Sequence, residues 1–423
     1  MPLSTLFIGI DVSLDKNQVC AINFNKDRFF NKSYDNSPIG TKKLTSDILD
    51  LLNKHKELSK VSIAMESTNV YHIHVSSILS QDKRLRPYRL RVYVINATLI
   101  ANYKKSLEEP GKDDPTDAYV IADYIRVGKG KDSQIVLSNQ KLALQRLTRQ
   151  RKHIAEQLGK EKQYLSSNLY LKLSALKVNG EEAPFSNIYG KTAMDIFTEF
   201  LTNEEIINTD LEDLVKMIIR SSKGRFSDPD MVAKLIKRAA SKSYTLDKTS
   251  SGSITQAIAS SFRIIKTYQK EMKELDKAIV DLIGTLDNKY YDILVSIPGI
   301  GQVFAAGIIA EINDIYLFRH NKAFASYCGL RWKKNDSGRK FSEHTKQPNM
   351  ANKYLRYYVI EATASVINRV DSFSVYFYSK KSEVKINAYK RALVLTARKF
   401  VRVIFGLLRE NKLFDERHLI VNK

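Results

Sequence analysis

Short apolar runs and helically spaced apolar positions alternate over the first third of the chain. Residues 6–12, 18–23 and 28–34 are brief runs rich in Ile, Val, Phe and Tyr with turn residues between them, which predicts three successive strands in a meander. Leu44, Ile48, Leu51 and Leu52 then share one helical face after Ser37-Pro38. A buried strand at 61–65, a helix near 70–79 and a strand at 91–95 follow, with two further helices at 97–105 and 114–127.

Three meander strands followed by alternating helices and strands is the order of an RNase H-like α/β domain, assigned here to residues 1–132. From about Ser138 the pattern changes to long charged helices. Ile258, Ile265, Met272 and Ile279 fall seven apart, and Tyr268, Leu275 and Leu282 take the offset positions, a heptad seam interrupted by Ser261. Residues 133–288 are therefore expected to form coiled-coil arms with an insert. Leu144, Leu147, Ile154, Leu158 and Leu165 mark an antiparallel partner helix, and the seam allows pairing within the chain or between chains. Residues 289–423 read as a mostly α-helical domain. There Ile297-Pro298-Gly299-Ile300-Gly301 and the apolar residues after it suggest a helix-hairpin-helix element, with Gly299 and Gly301 letting the backbone approach phosphate, the alternative being a helix-to-helix turn without DNA contact.

Charge narrows the function. Lys and Arg number 68 against 46 Asp and Glu, a net +22 that favours a polyanionic partner, with nucleic acid the obvious one. Two cysteines far apart in sequence, Cys20 and Cys328, give neither a disulfide framework nor a zinc pattern, consistent with a reducing cytoplasm. The amino terminus lacks a secretory pattern and no stretch of eighteen apolar residues occurs, so membrane insertion is not expected.

Against this basic background, four acids stand out. Asp11 closes the first apolar run and Glu66 directly follows the buried strand, while Asp114 and Asp117 share one face at a helix start. Crowded carboxylates are unfavourable without a cation, so a shared Mg2+ (or Mn2+) site at Asp11, Glu66, Asp114 and Asp117 is the expectation. Taken singly, each acid has an ordinary reading as a helix-start, surface or turn residue, and Asp113 and Asp15 lie close by in sequence. A basic loop, Arg331-Trp332-Lys333-Lys334-Asn335-Asp336-Ser337-Gly338-Arg339-Lys340, surrounds a serine that could act as a nucleophile, although an Asp-Ser-Gly triplet is also an ordinary turn. Trp332 could stack on a base or anchor a core. His344 is too loosely placed to be assigned as a base. The last helix carries Lys390, Arg391, Arg398, Lys399, Arg402 and Arg409, read as a solvated face and nucleic-acid surface.

Gly9-Ile10-Asp11-Val12-Ser13, Ala64-Met65-Glu66-Ser67-Thr68, Val94-Ile95-Asn96, Lys112-x-Asp114-x-x-Asp117-Ala118, Ile297-Pro298-Gly299-Ile300-Gly301, Tyr327-Cys328-Gly329-Leu330 and Asp336-Ser337-Gly338 together resemble the DEDD transposases of the insertion-sequence one-ten family, relatives of the pilin-inverting recombinases. The resemblance implies a RuvC-like domain, a coiled-coil region and a carboxy-terminal transposase domain. It makes Asp11, Glu66, Asp114 and Asp117 the acidic tetrad and Ser337 the nucleophile. Implied partners are donor and target DNA, a structured non-coding guide RNA, and further copies of the chain in a dimer or synaptic tetramer, acting in a prokaryotic cytoplasm at the nucleoid. Asp113 stands where the family commonly has a hydroxyl residue, and Arg331-Trp332 where it commonly has proline. A water-using RuvC-like junction nuclease and a non-catalytic nucleic-acid scaffold are the competing readings.

Overall fold

The computed structural model describes residues 2–67, 69–107, 113–132, 134–135, 138–286, 289–312, 314–331, 336–337, 340–341 and 351–417, with backbone alone for 2, 131–132, 134–135, 336–337 and 340–341. It contains two compact units. One comprises Met1–Ala143, Lys289–Ile300 and Ile308–Lys423, the other Leu144–Asn288 with Gly301–Gly307.

The first unit begins with a mixed sheet. β1 (Thr5–Val12), β2 (Lys16–Ile22) and β3 (Arg28–Asp35) form the antiparallel meander, and α1 (Pro38–Lys54) crosses to β4 (Lys60–Glu66), which lies parallel to β1. α2 (His72–Gln81) leads to β5 (Arg91–Ile95), parallel to β4. α3 (Ala97–Lys104), α4 (Asp114–Arg126) and the two-residue β6 (Gln134–Ile135) complete the order 3-2-1-4-5-6. The strand and helix positions expected from periodicity hold within a residue or two.

Alternation along β1 builds two cores. Leu6, Ile8 and Ile10 face one side with Leu44, Ile48 and Leu52 of α1 and Val75 and Leu79 of α2. Phe7 faces the other with Ala118, Ile121, Ala122 and Ile125 of α4. Gly9 also lies on that second face, and a Cβ there would overlap the backbone of Ala118 and Ala122. Glycine is thus what lets α4 lie directly across β1.

In the second unit, α5 (Asn139–Lys172) and α10 (Lys248–Gly284) are the long arms. Arg151 pairs with Asp276, and Lys172 donates to the Thr255 hydroxyl at 2.7 Å. Numbers rise on one helix as they fall on the other, so the arms are antiparallel partners within one chain. α6 (Lys191–Glu199), α7 (Asn203–Asn208), α8 (Leu211–Ser222) and α9 (Pro229–Lys242) form the insert. Ile196, Phe197, Leu214, Ile218 and Ile236 pack there with Leu165 and Leu169 of α5 and Ile258 and Phe262 of α10. The buried Lys172 ammonium donates to the carbonyls of Phe197 and Phe200 at the end of α6, and burial pushes its pKa down to about 8 against the opposing Glu205 charge. On the heptad seam Ile258, Ser261, Ile265 and Ile279 are buried, whereas Tyr268, Met272 and Leu275 are half-exposed.

The carboxy-terminal part is helical, from α11 (Lys289–Val295) and α12 (Gln302–Glu311) through α13 (Asn321–Tyr327). β7 (Asp336–Ser337) and β8 (Lys340–Phe341) then form a small ladder before α14 (Lys353–Ile367), α15 (Asp371–Ser382) and α16 (Ala388–Glu410). α16 is its spine, burying Ala397, Phe400, Val401 and Ile404. Among the described residues no helix is long and apolar enough to cross a membrane.

Candidate active site

β1 and β4 run side by side with Ile10 opposite Met65, so the next residues, Asp11 and Glu66, emerge at the same carboxy-terminal strand ends. That end of a parallel array is where open α/β sheets place ligands. α4 brings its first turn to the same place. Asp113 is its N-cap and accepts from the Thr116 amide at 2.8 Å, a bond that holds its carboxyl below the usual range. Asp114 and Asp117 follow within that turn. Pro115 offers its carbonyl to Asn31 of β3 at 2.9 Å, and Gln18 of β2, opposite Asp11, holds Asn31 in turn.

Electrostatics shows the convergence. Burial, then the charges of Asp117, Asp114 and Glu66, push Asp11 up to about 6, while Lys104 opposes them. Asp113 and Asp15 do not enter that set. Lys104, the last residue of α3, makes an ion pair with Asp117 that sequence spacing does not announce, since the two lie on different helices. The Asn96 cap, whose side chain accepts from Thr98 at 2.9 Å, fixes the start of α3 directly after β5.

A hard divalent cation suits this all-carboxylate donor set, and relief of the crowding around Asp11 is what such an ion supplies. Among the described residues, however, no three His, Cys, Asp or Glu side chains stand together closely enough to hold one ion. The four acids share a strand end and a field, with Lys104 as the cation at Asp117.

Of the serine loop, Ser337 pairs with Lys340 in the β7–β8 ladder, and only backbone is described for both. Trp332, Lys333, Lys334, Gly338, Arg339 and His344 lie outside the described residues, as do Thr68 and Lys112. Arg331 is exposed. On α16, burial and then the like charges of Arg402 and Arg331 hold the Arg398 pKa down, and one of its guanidinium nitrogens is buried without a hydrogen-bond partner among the described residues. Other basic residues of that helix are engaged within the fold. Arg391 pairs with Glu383, Lys399 donates to the Ser372 carbonyl, and Arg409 to the Phe318 carbonyl. Gly299 has φ +98°, and a Cβ there would press on the backbone of Ser365 and Val366 in α14. Its close approach is thus to another helix, whereas Gly301 has open space around it.

A transposase family model of the IS110 DEDD type matches residues 8–172, and a second, for the transposase IS116/IS110/IS902 family, matches 291–378. The 44.8 kDa protein of insertion element IS116 from Streptomyces clavuligerus is 23% identical over 97% of this chain and 96% of its own length. The pilin gene-inverting proteins of Moraxella lacunata and Moraxella bovis are each 26% identical over 36% of this chain, an alignment spanning 48% of their own length.

Proposed function

The chain belongs to the IS110 family of transposases and is a DNA transposase or recombinase; from that premise we propose that it exchanges strands through a Ser337 nucleophile working with the acidic centre at Asp11, Glu66, Asp114 and Asp117. The observation that carries this reading is the meeting of three further carboxylate charges on Asp11 at the strand ends. The strand order supports an RNase H-like, RuvC-like identity for the first 132 residues, followed by arms over 133–288 and a transposase domain over 289–423.

In this reading Asp11, Glu66, Asp114 and Asp117 would draw closer to hold Mg2+ or Mn2+, which when bound would polarise the scissile phosphodiester. Holding a common ion requires Asp117 to exchange Lys104 for it. The Ser337 hydroxyl oxygen bonds to phosphorus as the bond to one deoxyribose oxygen breaks. The serine gives up its proton, and the departing oxygen leaves as a hydroxyl. Arg331, Lys333, Lys334, Arg339 and Lys340 stabilise the charge that builds on the phosphoryl oxygens, and Trp332 lies against the bound nucleic acid. Attack by another strand's hydroxyl on the phosphoserine linkage then rejoins the DNA with no external energy source. Family resemblance further supports a structured guide RNA that pairs with donor and target DNA, and assembly of several copies at the nucleoid.

The test separates transesterification from hydrolysis. Ser337→Ala abolishes covalent protein–DNA adducts while nucleic-acid binding persists. Continued cutting by that variant, with free ends, would favour the water-using nuclease instead. Glu66→Gln with binding intact and cutting lost would exclude a non-catalytic scaffold.

A further inference from the structure

At the other end of the sheet from the carboxylates lies a cavity of about 690 Å³, lined by the first residues of the parallel strands and the end of α4. Thr5 and Phe7 come from β1, Lys60 and Ser62 from β4, and Arg91 and Tyr93 from β5, with Arg89 just ahead of β5. Thr5 and Asp11 are six residues apart on one strand, which puts the cavity roughly 20 Å from the acids at about 3.3 Å per residue. The two are separate sites.

Among the described residues no acid lines this cavity. Arg126 is already engaged, held by Asp123 at 2.6 Å and by the Phe24 carbonyl, with its guanidinium over the Phe24 ring. It forms a fixed wall. Lys60, Arg89 and Arg91 have no ion-pair partner among the described residues, and Arg89 and Arg91 are exposed. Three unmatched cations at the mouth of one hollow repel one another unless an anion joins them. Tyr93 is half-buried in the lining and offers an aromatic surface.

We infer that this cavity holds an unpaired nucleotide of a single-stranded nucleic acid, with flanking phosphates on Lys60, Arg89 and Arg91 and the base against Tyr93. Aromatic stacking combined with a basic track is how single strands are held without sequence preference. A lone phosphate would leave most of the volume empty, since hollows of this size suit whole organic ligands. A duplex keeps its bases stacked inside and would meet only the rim. The inference is independent of how strands are cut, because none of these residues belongs to the acidic centre or the serine loop.

The test uses the full chain and labelled single strands of about 15 nucleotides, oligothymidylate and oligouridylate, beside a mixed-sequence duplex. The variant is Arg89→Asn with Arg91→Gln; asparagine tolerates the left-handed backbone at position 89, where φ is +46°. Expected are an unchanged thermal unfolding curve, an affinity for at least one single strand reduced about tenfold, and a salt slope shallower by about one, as for one to two lost phosphate contacts. Duplex binding stays within about twofold, and Tyr93→Leu weakens single strands without changing the slope. Equal losses on single strand and duplex, no loss on either, or competition by uridine monophosphate as strong as by the oligomer would each overturn the proposal.

Discussion

Gly9 on β1 lies so close to Ala118 on α4 that no side chain fits between them, and this contact sets Asp117, one residue before Ala118, beside Asp11, two residues after Gly9. Replacing Gly9 by Ala forces α4 away from the sheet. Destabilisation of about 1–3 kcal/mol is expected from overpacking against backbone, measured by urea unfolding, together with loss of strand cutting. Unchanged stability would mean that α4 does not rest on β1 as described.

Metal-free protein is predicted to lose stability as pH rises. The raised Asp11 pKa of about 6 means that the folded form keeps a proton that the unfolded chain has released. The stabilisation is therefore fully present below about 4, where both forms hold the proton, and is lost as pH climbs through about 6. After allowance for solvent screening the effect is on the order of 1–2 kcal/mol. Asp11→Asn should flatten this part of the profile, and Mg2+ should restore stability at neutral pH. A wild-type profile flat between pH 4 and 7 would contradict the crowding.

Lys104 holds Asp117 in an ion pair, so a divalent ion bound as proposed would have to compete with it. Lys104→Gln removes the resident cation, so calorimetric Mn2+ affinity should rise a few-fold, while metal-free stability falls by under about 1 kcal/mol. A weaker Mn2+ affinity would show instead that the ammonium helps to build the site.

Lys172 closes the end of α6 from α5. Lys172→Met leaves the Phe197 and Phe200 carbonyls without their donor, and a loss of about 1–3 kcal/mol in unfolding free energy is expected. A neutral result would assign the joint between insert and arms to apolar packing alone.

Much of this was legible in the chain because burial leaves a pattern: β1 and β4, covered on both faces, are mostly apolar, and α1, covered on one, repeats its leucines and isoleucine on a single face. The acids at the strand ends were visible for the same reason, since polarity begins where the strands leave the core. Pairings between elements were not. Nothing near Lys104 in sequence points to Asp117. Nor does spacing separate Asp113, which caps α4 through the Thr116 amide, from Asp114, whose charge acts on Asp11. Gly299, expected to make room for phosphate, makes room for α14. The heptad seam left the arm's partner open, and the contacts of Arg151 and Lys172 place that partner within the chain. The basic stripe on α16 read as one solvated surface, yet Arg391, Lys399 and Arg409 are tied to neighbouring segments.

Direct titration of Mn2+ into the full chain, followed by electron paramagnetic resonance of free and bound ion, bears most closely on the acidic centre. Saturable binding in the wild type, lost when Asp11 and Asp117 are both changed to Asn with the fold intact, is the expected result. Binding of the same strength and stoichiometry in that double variant would contradict a shared ion at the strand ends.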